Sequence, residues 1–138
     1  METKKKIDTR GRTWATVLYP ESASDNWLQI LGEQCVPCFV SPLHNLDVNP
    51  DGEIKKAHYH ILFTFEGKKT KEQVLEIVKL INGVGLEPVK STRGYARYLC
   101  HLDNPEKHQY NIDDVVQFGG ADYTTTIGLA KEHNLIYP

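Results

Sequence analysis

Cysteine is scarce and odd in number: three residues among 138, which cannot close a disulfide framework. Cys35 and Cys38 form "CVPC", a spacing shared with thioredoxin-type redox pairs. Such a pair should follow a strand and open a helix, whereas here it leads straight into the apolar run "CFVSPL". Both cysteines are therefore read as buried small apolar side chains rather than as a redox or zinc site. Long apolar runs are missing as well, and the basic start "METKKK" lacks the apolar stretch of a secretory signal. A cytoplasmic protein without membrane contact is expected. No surplus of positive charge exists either: the net charge is -2. That excludes a generally basic nucleic-acid coat, so any DNA binding must use a local basic face. Internal repeats and low-complexity tracts are absent.

What is present suits a single folded domain, with 40% hydrophobic and 25% charged residues. Residues 1–11 are charged and patternless and read as a flexible arm; residues 12–138 form the domain. "RTWATVLYP" is a β-rich run closed by proline, and "CVPCFVSPL" and "KAHYHILFTFEG" are two further strands. "SASDNWLQILGEQ" reads as a helix capped by Ser24 or Asp25. The clearest helix is "KKTKEQVLEIVKLING", where Val74, Ile77, Val78 and Ile81 share a face and Asn82-Gly83 ends it. "VGLEPVK" is a weak strand. "STRGYARYLCHLDNP" is a helix capped by Ser91 or Thr92 and stopped before Pro105. "DDVVQFGG" reads as a short strand and "ADYTTTIGLAKEHNLI" as a terminal helix. Strands joined by helices and long loops predict an α+β fold, a mostly antiparallel sheet with helices packed on one face.

Alternation along "HYHILFTF" puts Tyr59, Ile61, Phe63 and Phe65 on one face of a strand and His58, His60, Leu62 and Thr64 on the other. With helices over the apolar face, the histidines should point to the open one, about 7 Å apart at Cα and able to converge on one ion. "HNLD" adds His44 and Asp47 from the preceding loop. Three imidazoles and a carboxylate suit Mn²⁺, Co²⁺, Ni²⁺ or Zn²⁺, and Mg²⁺ where substrate and water complete the shell. Spacing alone leaves three alternatives open: solvated histidines on a half-exposed strand, a cupin-like site, or a two-histidine, one-carboxylate iron oxygenase. On the following helix, Tyr95, Leu99 and Leu102 form a buried stripe. Tyr98 lies about 60° from Tyr95 at the border of that stripe, with Arg93 and Arg97 on another face.

Three segments, in order, carry a resemblance. "AHYHILFTF" resembles the His-hydrophobic-His motif of the HUH endonucleases, and "RYLCHLDNPEKHQY" resembles their tyrosine motif. "SPLHNLD" is similar to the extra metal-ligand segment of one branch, the replication initiators of small rolling-circle plasmids of Gram-positive bacteria. "LYPES" and "KKAHYH" fit that branch too. The match runs from roughly Trp14 to Tyr110.

The resemblance implies a ferredoxin-like HUH fold and a bacterial cytoplasmic endonuclease and strand transferase. Its partner would be single-stranded DNA at a plasmid double-strand origin, with double-stranded origin repeats as a further partner. His44, Asp47, His58 and His60 match the ligands of one Mn²⁺ or Mg²⁺ ion, and Tyr98 matches the nucleophile that forms a 5′-phosphotyrosine link. Asn45 departs from the acidic residue common after the first histidine. Lys55, Lys56, Lys68, Lys69, Arg93 and Arg97 are candidate phosphate contacts. Family members often continue into a C-terminal oligomerisation region, so an isolated, monomeric catalytic domain or a short member is expected. A non-catalytic origin-binding module and a metal-dependent small-molecule oxygenase are the alternatives.

Overall fold

The computed structural model describes residues 7–128. Residues 1–6 of the expected arm, and residues 129–136 of the expected terminal helix, lie outside that range. Five strands form one sheet, β1 (Gly11–Leu18), β2 (Cys38–Val40), β3 (Tyr59–Lys69), β4 (Val84–Pro88) and β5 (Val116–Phe118), in the order β4-β1-β3-β2-β5. Every pairing is antiparallel. Helices α1 (Trp27–Glu33), α2 (Lys71–Ile81), α3 (Thr92–Tyr98) and α4 (Tyr123–Thr126) complete the α+β fold, with a 3-10 turn at Ile112–Asp114. No described helix is long and apolar enough to cross a membrane.

The central strand β3 does what its alternation requires. Ile61, Phe63 and Phe65 point into a core with Trp14 and Leu18 of β1, Leu31 of α1, and Val74, Val78 and Ile81 of α2. Helix α2 begins at a capping box in which Thr70 and Gln73 satisfy each other's backbone N–H, and it ends at Asn82 in the left-handed region. Its three buried aliphatics each contribute about 1.5–3 kcal/mol by leaving water. Gly119 is required where it stands: its φ is +66° and a Cβ would lie 2.4 Å from the Val36 carbonyl.

The opposite face of the sheet is covered in part as well. Leu62, Ala15 and Phe39 pack under α3 and α4 against Ala96, Leu99, Cys100, Tyr123 and Ile127. Only part of that face is apolar; the rest holds the histidines, which are consequently buried. Helix α1 starts at Asn26, left-handed and without a side-chain cap, rather than at Ser24 or Asp25. Cys38 is buried, and burial pushes its thiol up to about 12, but Cys35 is exposed and not the core residue expected.

Helix α3 is shorter than its hydrophobic pattern suggests. Ser91 caps it by accepting the Gly94 N–H, and the hydroxyls of Thr13 and Thr92 meet at 2.7 Å. The chain then turns within a few residues instead of continuing to Pro105. The Leu102 N–H donates to the Arg97 carbonyl and the His101 N–H to Tyr98, with His101 at φ +56°. This is a Schellman-type stop carrying histidine where glycine is usual.

Candidate metal centre and neighbouring tyrosines

Beyond β2, Pro42 interrupts the ladder, and a single bridge between His44 and His58 rejoins the loop to β3. Reciprocal backbone bonds of 2.8 and 3.2 Å hold that bridge. Ser41 reinforces it, its hydroxyl accepting the His60 N–H at 2.9 Å. His44 is thus delivered beside His58 and His60, with ring centroids 4.8–5.2 Å apart. Ligand atoms of His44, His58 and His60 lie within 4.8 Å of one another, and so do those of His44, Asp47 and His101.

Hydrogen bonds to backbone carbonyls fix which nitrogen of each ring is free. His44 donates from Nε2 to Leu99 at 2.7 Å, His58 from Nδ1 to Lys56 at 2.8 Å, and His101 from Nδ1 to His108 at 2.8 Å. A carbonyl can only accept, so the opposite nitrogen keeps its lone pair when the ring is neutral. For His44 that lone pair faces the Asp47 carboxylate at 3.0 Å; for His58 it faces the same oxygen at 3.6 Å. Burial, with His101 nearby, lowers the His44 pKa despite Leu99 and Asp47. Burial also pushes His60 down to about 3, reinforced by His44 and His58. Neutral rings and a carboxylate thus turn lone pairs toward one another, an arrangement that a cation relieves. Cis ligands at about 2.1 Å from an octahedral ion would be about 3.0 Å apart, as the His44 and Asp47 atoms are. The donor set fits a divalent metal ion, with the outer nitrogens anchored as metal-bound histidines usually are.

Sequence reasoning overlooked several partners. Tyr110 stacks on His44, with centroids 4.3 Å apart, and its hydroxyl donates to Asp47. Burial and Asp47 push the Tyr110 phenol up to about 12. Burial works against the Asp47 charge, but Tyr110 and His44 outweigh it and hold the carboxyl below its usual range. His101 follows Tyr98 by three residues, an i,i+3 spacing that could have flagged it.

A cavity of about 180 Å³ opens on the cluster, bordered by Asp47, His58, His60, Tyr98, His101 and Lys107 among others. The Tyr98 ring is 5.5 Å from His60 and 5.2 Å from His101, and the Lys107 ammonium stands 5.2 Å over it. Tyr95 is not the core residue expected. It is half-buried like Tyr98, with its hydroxyl 3.4 Å from His60 Nδ1; the buried face of α3 is Ala96, Leu99 and Cys100. Burial, aided by Glu87, pushes the Tyr95 phenol up to about 12.

The six candidate phosphate contacts do not form one face. Lys55 and Lys56 border the histidines, Lys56 pairing with Glu21 at 2.6 Å. Lys68 pairs with Asp8, and Lys69 lies over Phe65, both at the end of β3 roughly 25 Å from His60 by strand rise. Arg93 and Arg97 donate to the Ile127 carbonyl, and Arg97 also pairs with Asp103.

Comparison with known proteins matches residues 5–124 to the family described as plasmid replication protein, origin binding domain. The chain is 46% identical over 121 residues to replication protein RepB of Lactiplantibacillus plantarum, covering 88% of this chain and 55% of that one. It is 43% identical over 121 residues to a replication protein of Staphylococcus aureus, covering 88% and 61%. A RepB of Streptococcus agalactiae is 29% identical over 133 residues, covering 89% and 63%. The chain therefore spans little more than half the length of the first two relatives. With most of its length matched, it belongs to the family of plasmid replication protein origin-binding domains.

Proposed function

We propose that this domain nicks and rejoins one strand of plasmid origin DNA, in the bacterial cytoplasm, through a phosphotyrosine link at Tyr98. The observation that carries the reading is Tyr98 lining the same cavity as Asp47, His58 and His60. An origin-binding domain has no need of a tyrosine at such a cluster if it only binds. His44, Asp47, His58 and His60 would hold a single Mn²⁺ or Mg²⁺ ion. Such an ion polarises a phosphodiester and offsets charge as phosphorus becomes five-coordinate.

The remaining steps belong to the chain's own side chains. Lys55 and Lys107 border the cavity and attract the phosphate. The Tyr98 oxygen forms a bond to phosphorus as the bond from phosphorus to O3′ breaks. The phenol proton passes to water, and the departing O3′ takes a proton from water to give a 3′-hydroxyl that can prime synthesis. The link conserves the ester, so a later 3′-hydroxyl can displace Tyr98 and rejoin the strand. Tyr95 is a poorer choice: it does not border that cavity but a separate cleft beside Thr16 and Glu87. Single-stranded origin DNA is the substrate in this reading, and double-stranded repeats are a further partner.

The test is incubation with single-stranded origin DNA and Mn²⁺, then denaturing electrophoresis and mass spectrometry. A covalent band mapped to Tyr98 and lost in Tyr98→Phe is expected, while that variant still binds DNA and Mn²⁺. No band from the wild-type protein would leave a binding module; a band retained by Tyr98→Phe would mean another nucleophile.

A further inference from the structure

The geometry points to a direction for the DNA strand: the groove beside Tyr19 holds the nucleotides 5′ of the scissile phosphate, and the 3′ segment leaves past Lys107. This assignment rests on the nicking reading above and gives it a polarity.

Two clefts meet at the histidines. Both are bordered by Lys55, His58 and His60, but the first continues to Tyr98, His101 and Lys107, and the second to Val17, Tyr19, Asn49 and Lys56. Strand pairing explains the second: Val17 lies opposite His60 and Leu18 opposite Tyr59, so the end of β1 brings Tyr19 alongside the cluster. In a phosphoryl transfer the attacking and departing oxygens stand roughly in line on opposite sides of phosphorus. Tyr98 borders only the first cleft. A phosphate at the shared wall, attacked from the Tyr98 side, turns its O3′ toward the second cleft. The sugar carrying O3′ belongs to the nucleotide 5′ of the broken bond, so that nucleotide sits by Tyr19.

The second cleft has the chemistry for it. Tyr19 is held by a tight turn, its carbonyl accepting the Ser22 and Ala23 N–H groups at 3.0 and 2.9 Å. Its ring lies 6.2 Å from His58, with the Lys56 ammonium 4.5 Å over its face. A fixed aromatic ring beside two lysines is a sequence-tolerant platform for a base and its phosphate. The "LYPES" segment acquires a role by this assignment: it ends β1, makes the turn, and supplies in Glu21 the carboxylate that steadies Lys56.

The test uses Tyr98→Phe protein, which leaves the strand intact, and single-stranded DNA spanning the nick position mapped from the wild-type adduct. The strand carries 5-iododeoxyuridine one or two nucleotides to either side, and the crosslinked peptide is identified by mass spectrometry after irradiation. A 5′ label should reach the Tyr19 peptide and a 3′ label the 105–110 loop. The converse pattern, or a 3′ label at Tyr19, overturns the assignment. In parallel, Tyr19→Ala should bind the 5′ half-strand, ending in a 3′-hydroxyl, about tenfold more weakly and the 3′ half unchanged. It should still form the adduct but rejoin poorly. Equal losses for both halves, or none, overturn the assignment while adduct formation at Tyr98 leaves the nicking reading standing. Absence of any wild-type adduct removes both.

Discussion

The two faces of β3 are built from neighbouring residues of one strand, yet they obey different rules. Ile61, Phe63 and Phe65 enter a core closed by α1 and α2 and built of apolar side chains. One residue away, His58 and His60 enter a pocket with His44, Asp47 and Tyr110, where burial disfavours charge on His44 and His60 beside a carboxylate. The first face is arranged for stability. The second accepts unfavourable electrostatics that a bound cation would relieve, a local conflict of the kind expected at functional sites.

Changing one face at a time sharpens this contrast. Phe63→Ala, which empties a fully buried ring position, should cost about 3–5 kcal/mol in denaturant unfolding while Mn²⁺ affinity of the remaining folded protein stays unchanged. A parallel loss of affinity would mean that the faces are coupled. Acid should act on the histidine face and leave the apolar one untouched. His60 stays neutral in the fold down to about pH 3, whereas an unfolded imidazole takes its proton near 6.5. Between those values the unfolded chain binds more protons, so stability falls as pH is lowered from about 6.5 toward 3, in the limit by ~5 kcal/mol. Unfolding of the metal-free domain followed across that window should show the slope, and His60→Ala should reduce it, leaving the part due to His44.

Removing a ligand should separate the faces in the opposite sense. His60→Ala is expected to weaken Mn²⁺ binding at least about 100-fold by calorimetric titration, with the metal-free domain no less stable near neutral pH. An unchanged affinity would dissociate His60 from the metal. The smallest effect belongs to Tyr110→Phe. Without its hydroxyl the Asp47 carboxylate loses an anchor, and Mn²⁺ affinity should fall about 10-fold, the lower end for such supporting contacts. Near-identical affinity would reduce Tyr110 to a packing partner of His44.

How far the sequence revealed this contrast depended on distance along the chain. The alternation in β3, the apolar face of α2 with its end at Asn82-Gly83, and the pairing of His58 with His60 are local patterns, and all were legible. So was the placing of His44 and Asp47 in the loop just before the histidine strand. What failed were statements that need a third element. Helix α3 looked long because Leu102 continues its periodicity, but the left-handed His101 turns the chain first. Tyr95 looked like core because the stripe was drawn before it was known that α3 lies against Leu62 on the histidine face. The Tyr110 contact with Asp47 joins residues 63 apart, which no window of sequence encloses. The contacts of Arg93 and Arg97 with the Ile127 carbonyl beyond α4 likewise join residues 34 and 30 apart and had no local signature.

The hydrogen bond from His44 to the Leu99 carbonyl has a mechanical meaning. Leu99 directly follows Tyr98, so a single peptide unit separates the proposed nucleophile from the atom that steadies a proposed ligand. The separation between them is set by a short leash rather than by the slack of the whole α3–sheet contact. Were Tyr98 to carry a DNA strand as proposed, a tug on that strand would be transmitted through this leash to His44. The tethered end would then stay registered with the proposed ligands while the next hydroxyl arrived. Cleavage and rejoining could use one alignment, without a hinge opening between them.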